Sequence, residues 1–171
     1  IYKYSPNGFF AQESQIVEPV RLTQDMERDG YIKPIRIQET ISVLKNFRRI
    51  VDGAKIDNYI CFAAPVIANA RNQIAFLDEI YKTVSLYFKV LTAEEQVAAL
   101  HTAVMYSFSM TRGVIVQVGD HSTELVRFNR RVITNSISIP VGTVTLLEQV
   151  REKSMSERMD KVVEIMTAEF K

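Results

Sequence analysis

"VIVQVGDHSTELV", Val114 to Val126, is the stretch on which the fold turns. A near-continuous β-branched run meets a glycine, three polar residues follow, and "TELV" resumes a strand-like pattern. That is the signature of a strand, a tight turn and a second strand. Such a hairpin can present its loop to a phosphate, and loops that do so usually carry several glycines, because bare N–H groups must come close to the anion. Here Gly119 stands alone, followed by Asp120 and His121. The residues leave two readings open: a phosphate loop that has lost its glycines, or a hairpin that never held a phosphate.

Downstream, "RVITNSISI" predicts a third strand, and Pro140 and Gly142 lead into a helix from about Thr143 to Glu152. Ser154 and Glu157 have capping spacing and open a last helix carrying Met159, Val162, Val163, Met166 and Phe170. Upstream, Thr92 and Glu95 cap a long helix through Val97, Leu100, Val104 and Phe108. Before it come a strand "YFKVL" and a helix "NQIAFLDEIYKTV" with Ile74, Leu77, Ile80 and Val84 on one side. Earlier still lies a buried strand, "NYICFAA". Ile37, Ile41, Leu44, Phe47 and Val51 recur at helical spacing after Pro34, and Gly53 is expected to stop that helix. At the start, Ile1 to Tyr4 reads as a strand, "SPNG" as a turn, and "FFAQESQIVEPVRL" as a second strand ending near Pro19. Strands alternating with amphipathic helices predict an α/β fold, a mixed sheet flanked by helices. The short turn before Gly113 divides it into residues 1–112 and the beginning of a second, similar unit, 113–171.

The 171 residues suffice for a buried core, and 47% apolar with 24% charged is ordinary for a globular protein. Twenty-one basic residues against 20 acidic ones leave no basic excess, which argues against nucleic acid as a partner. The clusters "NFRRIV" and "RFNRR" read as a solvated helix face and a hairpin turn. No apolar run nears the roughly 18 residues of a membrane span, so no membrane partner is expected. The single cysteine, Cys61, excludes an internal disulfide and suits a cytoplasmic setting.

Several segments, in order, resemble the exopolyphosphatase and guanosine pentaphosphate phosphohydrolase family, bacterial proteins with the actin-like ATPase (ribonuclease H-like) fold. "EPVRL" (Glu18 to Leu22) resembles the exit of the family's third strand. "FKVLTAEEQ" (Phe88 to Gln96) resembles its strand-to-helix segment with paired glutamates. "VIVQVGDHSTELV" resembles the family's "IDIGGGSTELV", and "SISIPVGTVTL" (Ser136 to Leu146) resembles its "SLPLGAVRL". The resemblance implies hydrolysis of terminal phosphoryl groups of polyphosphate or guanosine pentaphosphate, with Mg²⁺ offsetting phosphate charge.

Position by position, it implies an altered site. The family's catalytic glutamate matches Gln96, whose amide cannot serve as a general base near neutral pH. Glu95 is next door, but one helical step turns it about 100° away. The aspartate of "IDIGGG" matches Gln117, so a metal-orienting carboxylate has become an amide. The second and third glycines match Asp120 and His121, and an arginine matches Ala68. Gly119, Ser122, Thr123 and Glu124 survive, and Glu124 is the carboxylate still placed to hold metal or water. The implied set is therefore Gln96, Glu95 and Glu124 for catalysis, Gly119, Asp120, His121, Ser122 and Thr123 for phosphate, and Gln117 and Glu124 for metal. It predicts an inactive or weakly active hydrolase, with a non-catalytic phosphate-binding or protein-interaction module as the alternative. Plainer readings stand beside several of these. His121 fits a turn histidine, Glu94 and Glu95 favour a helix macrodipole, and His101 fits packing. The family also has a strand and a "DIGSN" loop ahead of the part resembling Ile1. An open sheet edge would be completed by further chain or by a homo-oligomer.

Overall fold

The computed structural model describes residues 1–4 and 10–169. The first part runs β1 (Tyr2–Tyr4), β2 (Phe10–Gln12), α1 (Met26–Asp29), α2 (Pro34–Gly53), β3 (Cys61–Ala63), a 3₁₀ turn, α3 (Gln73–Val84), β4 (Phe88–Val90) and α4 (Ala93–Ser107). It continues with β5 (Arg112–Val118), β6 (Thr123–Asn129), β7 (Val132–Ile139), α5 (Thr143–Val150) and α6 (Met155–Glu169). This is the expected α/β order. Among the described residues the strands form three small sheets: antiparallel β1–β2, parallel β3–β4 and the antiparallel meander β5–β6–β7.

Some local expectations change. The strand read through Pro19 is confined to Phe10–Gln12. There the N–H groups of Glu13 and Ser14 both turn back to the Ile1 carbonyl, and Pro19 has no N–H to extend a ladder. The "SPNG" turn lies outside the described residues. Gly53 is the last residue of α2 rather than its stop. Lys55 takes the left-handed conformation that ends the helix run, at φ 51°. On α3 the buried stripe is Phe76, Ile80 and Val84. Ile74, in the first turn before that stripe meets the core, is 80% exposed.

Apolar side chains gather in two clusters. Ile32, Ile37, Ile41, Phe76, Ile80 and Leu86 belong to the first, with Cys61 half-buried against it. Burial pushes the Cys61 thiol up. The second joins Val97 and Met105 of α4 to Ile115, Val126 and Phe128 of the meander. Both ends of α4 are held. At its start Thr92 and Glu95 form the capping box read in the sequence. At its end the guanidinium of Arg131 donates to the carbonyls of Met105, Phe108 (3.1 Å) and Met110 (3.3 Å). Arg131 reaches them from the two-residue turn between β6 and β7, where Arg130 and Arg131 have φ of 51° and 62°. Positive φ at both central residues matches the twist of a tight hairpin. The helix carrying Gln96 is thus fixed against the sheet carrying Glu124.

Candidate functional site

β5 and β6 pair in register from Arg112 opposite Asn129 to Val118 opposite Thr123, leaving residues 119–122 as the connecting turn. The Gly119 N–H closes it on the Ser122 carbonyl at 2.9 Å. A side chain at Gly119 would meet that oxygen at 3.0 Å, so the tight closure favours glycine.

Helix α5 grips the outside of this turn. The N–H groups of Thr143 and Val144 donate to the carbonyls of Gly119 and Asp120, each at 2.9 Å, and the Thr143 hydroxyl reaches Asp120 Oδ1 at 3.2 Å. A helix N-terminus offers unpaired N–H groups to an anion. Here the loop carbonyls take them instead. The approach is close: a Cβ on Gly142 would lie 2.4 Å from the Asp120 carbonyl carbon and 2.5 Å from the His121 nitrogen. Among the described residues, the N–H groups of Asp120, His121 and Ser122 have no acceptor within the chain. Three successive main-chain donors therefore remain for a ligand.

Behind the turn lies a polar cluster around the buried Glu124, with Gln96 and Ser122 half-buried and Ser138 exposed. Gln96, in the first turns of α4, donates its Nε2–H to Glu124 Oε1 at 2.9 Å. The Ser122 hydroxyl donates to the same oxygen at 2.5 Å, and the Ser138 hydroxyl lies 3.5 Å from it. Glu124 is only 2% exposed. Buried carboxylates persist where hydrogen bonds replace lost water. Sequence reading had named Gln96, Ser122 and Glu124, and the structure brings these three side chains into contact.

The other named residues lie elsewhere. The Glu95 side chain accepts from the Thr92 N–H at 3.0 Å and pairs with Lys89, engaged as a helix cap on the surface. The Lys89 ammonium, followed by the Thr92 N–H, holds its carboxyl below the usual range. Gln117 is opposite Glu124 in the ladder but exposed. Thr123 donates from its hydroxyl to the Val141 carbonyl at 2.7 Å, which makes it a structural member of the turn. His121 Nε2 is hydrogen-bonded to the Thr23 hydroxyl at 2.5 Å, while its Nδ1 is buried without a partner among the described residues. His101 packs edge-on against Phe128, with ring centroids 5.7 Å apart.

The turn faces a cleft of about 840 Å³, lined by Asp120 and His121 together with Leu44, Phe76, Ile80 and Leu147. Near the cleft residues Glu148 and Arg151, Asp25 meets Lys33 at 2.6 Å and Arg151 at 3.3 Å, while the Asp25 N–H donates to Glu148 Oε1 at 2.8 Å. The hydrogen bond from Lys33 leads the charges that hold the Asp25 carboxyl below its usual range. Sequence reading missed Thr23, Asp25 and Ser138. Only Ser138 left a local signal: Ser136 and Ser138 alternate with Ile137 and Ile139 and pair with Val126 and Glu124 on β6.

The donor set does not fit Mg²⁺. That ion takes a near-octahedral shell of oxygens, usually anchored by carboxylates. Glu124 is met here by an amide N–H and a hydroxyl donor, Gln117 is an exposed amide, and Asp120 is engaged by Thr143. Among the described residues no three His, Cys, Asp or Glu side chains are grouped to hold a metal.

A model of the Ppx/GppA phosphatase family matches residues 6–169. A crystal structure of the Aquifex aeolicus Ppx/GppA family member is 28% identical, with a TM-score of 0.71 over 95% of this chain and 54% of that one. An exopolyphosphatase-like protein is 18% identical but superposes with a TM-score of 0.82 over 94% of this chain and 54% of its own, a likeness of fold. The bifunctional 3-dehydroquinate synthase/phosphatase of Fusobacterium nucleatum is 25% identical over 138 residues, 78% of this chain and 21% of that protein. The chain spans about half the length of the solved relatives.

Proposed function

The chain belongs to the Ppx/GppA phosphatase family and has its actin-like fold, and from that premise we propose that it binds phosphoanhydride anions at residues 119–123 without hydrolysing them at an enzymatic rate. The ligand class is a terminal phosphoryl group of polyphosphate or of guanosine pentaphosphate. The observation that carries this reading is the 2.9 Å bond from Gln96 Nε2 to Glu124 Oε1. A hydrolase needs a group that takes a proton from the attacking water, worth about 10²–10⁴-fold in rate. At this position stands an amide that donates, and Glu124, which it contacts, already accepts from Gln96 and Ser122. Glu95 supplies no substitute, since it caps α4 and pairs with Lys89. Binding is supported by the N–H groups of residues 120–122, which have no acceptor among the described residues.

Calorimetric titration with tripolyphosphate, beside a steady-state phosphate-release assay on the same samples, tests the reading. Saturable binding with release at the buffer rate is expected. No binding, or release that scales with protein and disappears in Glu124→Ala, would overturn it.

A further inference from the structure

We propose that the Gln96 amide takes the place of a divalent cation at Glu124, so that this loop receives phosphate through neutral donors and without a metal ion. The inference rests on the phosphate-binding reading for its ligand, but its core claim concerns Glu124 and Gln96 alone.

A buried carboxylate needs either a cation or hydrogen-bond donors close by. At Glu124 the need is met from inside the chain, by Gln96 Nε2 at 2.9 Å and Ser122 Oγ at 2.5 Å on one oxygen. The end of the Gln96 amide that faces Glu124 is its NH₂, which donates and cannot accept. A cation approaching Oε1 meets these N–H and O–H hydrogens, which repel it. It would have to displace both donors and leave the half-buried Gln96 amide without its acceptor, at a cost that a weakly held Mg²⁺ does not recover. Second carboxylates are also out of reach: Glu95 is turned away as a cap, and Asp120 accepts from the Thr143 hydroxyl. The same contact explains why one substitution should reverse the behaviour. Two carboxyl groups at this separation either share a proton or hold a cation between them. Gln96→Glu therefore creates the need that the wild-type amide removes.

The test is a Mn²⁺ titration followed by electron paramagnetic resonance on the wild type, Gln96→Glu, Glu124→Gln and the double variant, near pH 8. Wild type is expected to show no saturable Mn²⁺ site. Gln96→Glu should gain one, and the double variant should lose it. A wild-type site abolished by Glu124→Gln would overturn the proposal. So would the absence of Mn²⁺ binding in a folded Gln96→Glu, because the amide would then not be what excludes the ion. In parallel, tripolyphosphate is titrated in EDTA and in Mg²⁺. Equal or tighter binding in EDTA supports metal independence, and binding only with Mg²⁺ overturns it while leaving the loop a phosphate site. Absence of tripolyphosphate binding in both buffers would remove the proposed function instead, with the Mn²⁺ comparison still deciding this inference.

Discussion

At the Gly119–Thr123 turn the meander meets α4 through one carboxylate and neutral partners, the Gln96 amide and the Ser122 hydroxyl. At Asp25 the later part of the chain meets the earlier part through charges: Lys33, Arg28 and Arg151 around Asp25, with Glu148 on its N–H. The first cluster surrounds a buried carboxylate and lies beside the loop proposed to take an anion. The second sits partly open to water and holds α5 to the segment ahead of α2. Opposite charges compensate each other at the second, so it carries a pH dependence. At the first, an amide and a hydroxyl donate to the one carboxylate, and on the proposed reading that arrangement offers no group to take a proton. One contact is held by neutral donors on a single carboxylate, the other by compensating charges.

The largest expected effect comes from the contact that holds the loop to α5. Gly142→Ala places a methyl 2.4 Å from main-chain carbon, and backbone cannot yield as a side chain can. We predict a loss of about 3 kcal/mol, at the upper end of overpacking costs, read from the urea midpoint. Tripolyphosphate binding should fall with it. An unchanged midpoint would mean that the loop is not clamped.

Next comes the neutral cluster. Glu124→Ala leaves the half-buried Gln96 amide and Ser122 hydroxyl without their acceptor, which should cost about 1–3 kcal/mol. Glu124→Gln should cost less in thermal melts, because it keeps the shape and one acceptor. Equal losses in the two variants would argue that packing, rather than hydrogen bonding, holds this cluster.

A smaller effect separates the cap from the site. Thr92→Ala removes the acceptor for the Glu95 N–H and should cost about 1 kcal/mol in stability. Glu95→Gln should leave tripolyphosphate affinity unchanged in calorimetry. Lost affinity there would return Glu95 to the site.

The charged junction gives the smallest change, one that is present at neutral pH and fades in acid. Its Asp25 carboxyl is held below the ordinary value of about 3.9, so the stabilisation is present above that value. It is lost as pH falls through the lower, folded-state value. Asp25→Asn should therefore flatten the acid limb of a melting-temperature profile. A profile parallel to wild type would show that the junction is not what titrates.

How much was legible in the sequence follows from which interactions are local. The hairpin at 114–126, the Thr92–Glu95 cap and the helices after Pro34 and Thr143 could be read because period and capping chemistry lie within a few residues. The Gln96–Glu124 contact was reachable only through family resemblance, since the partners are far apart in sequence. Thr23 against His121 and Asp25 against Arg151 carried no local signal at all. Ile74 was misplaced because periodicity gives a face without saying where along the helix the core begins. The strand expected through Pro19 failed for a similar reason: alternation supplies a face, but a strand also needs a neighbour.

The central claim is that this loop binds a phosphoanhydride and does not cleave it. The most direct measurement is a single-turnover assay, with protein in large excess over radiolabelled tripolyphosphate, so that every ligand is bound and even slow cleavage accumulates. The account predicts bound label and no phosphate release above the uncatalysed rate. Release proportional to bound ligand, absent in Glu124→Ala, would contradict it and make this chain a hydrolase that works without a carboxylate at position 96.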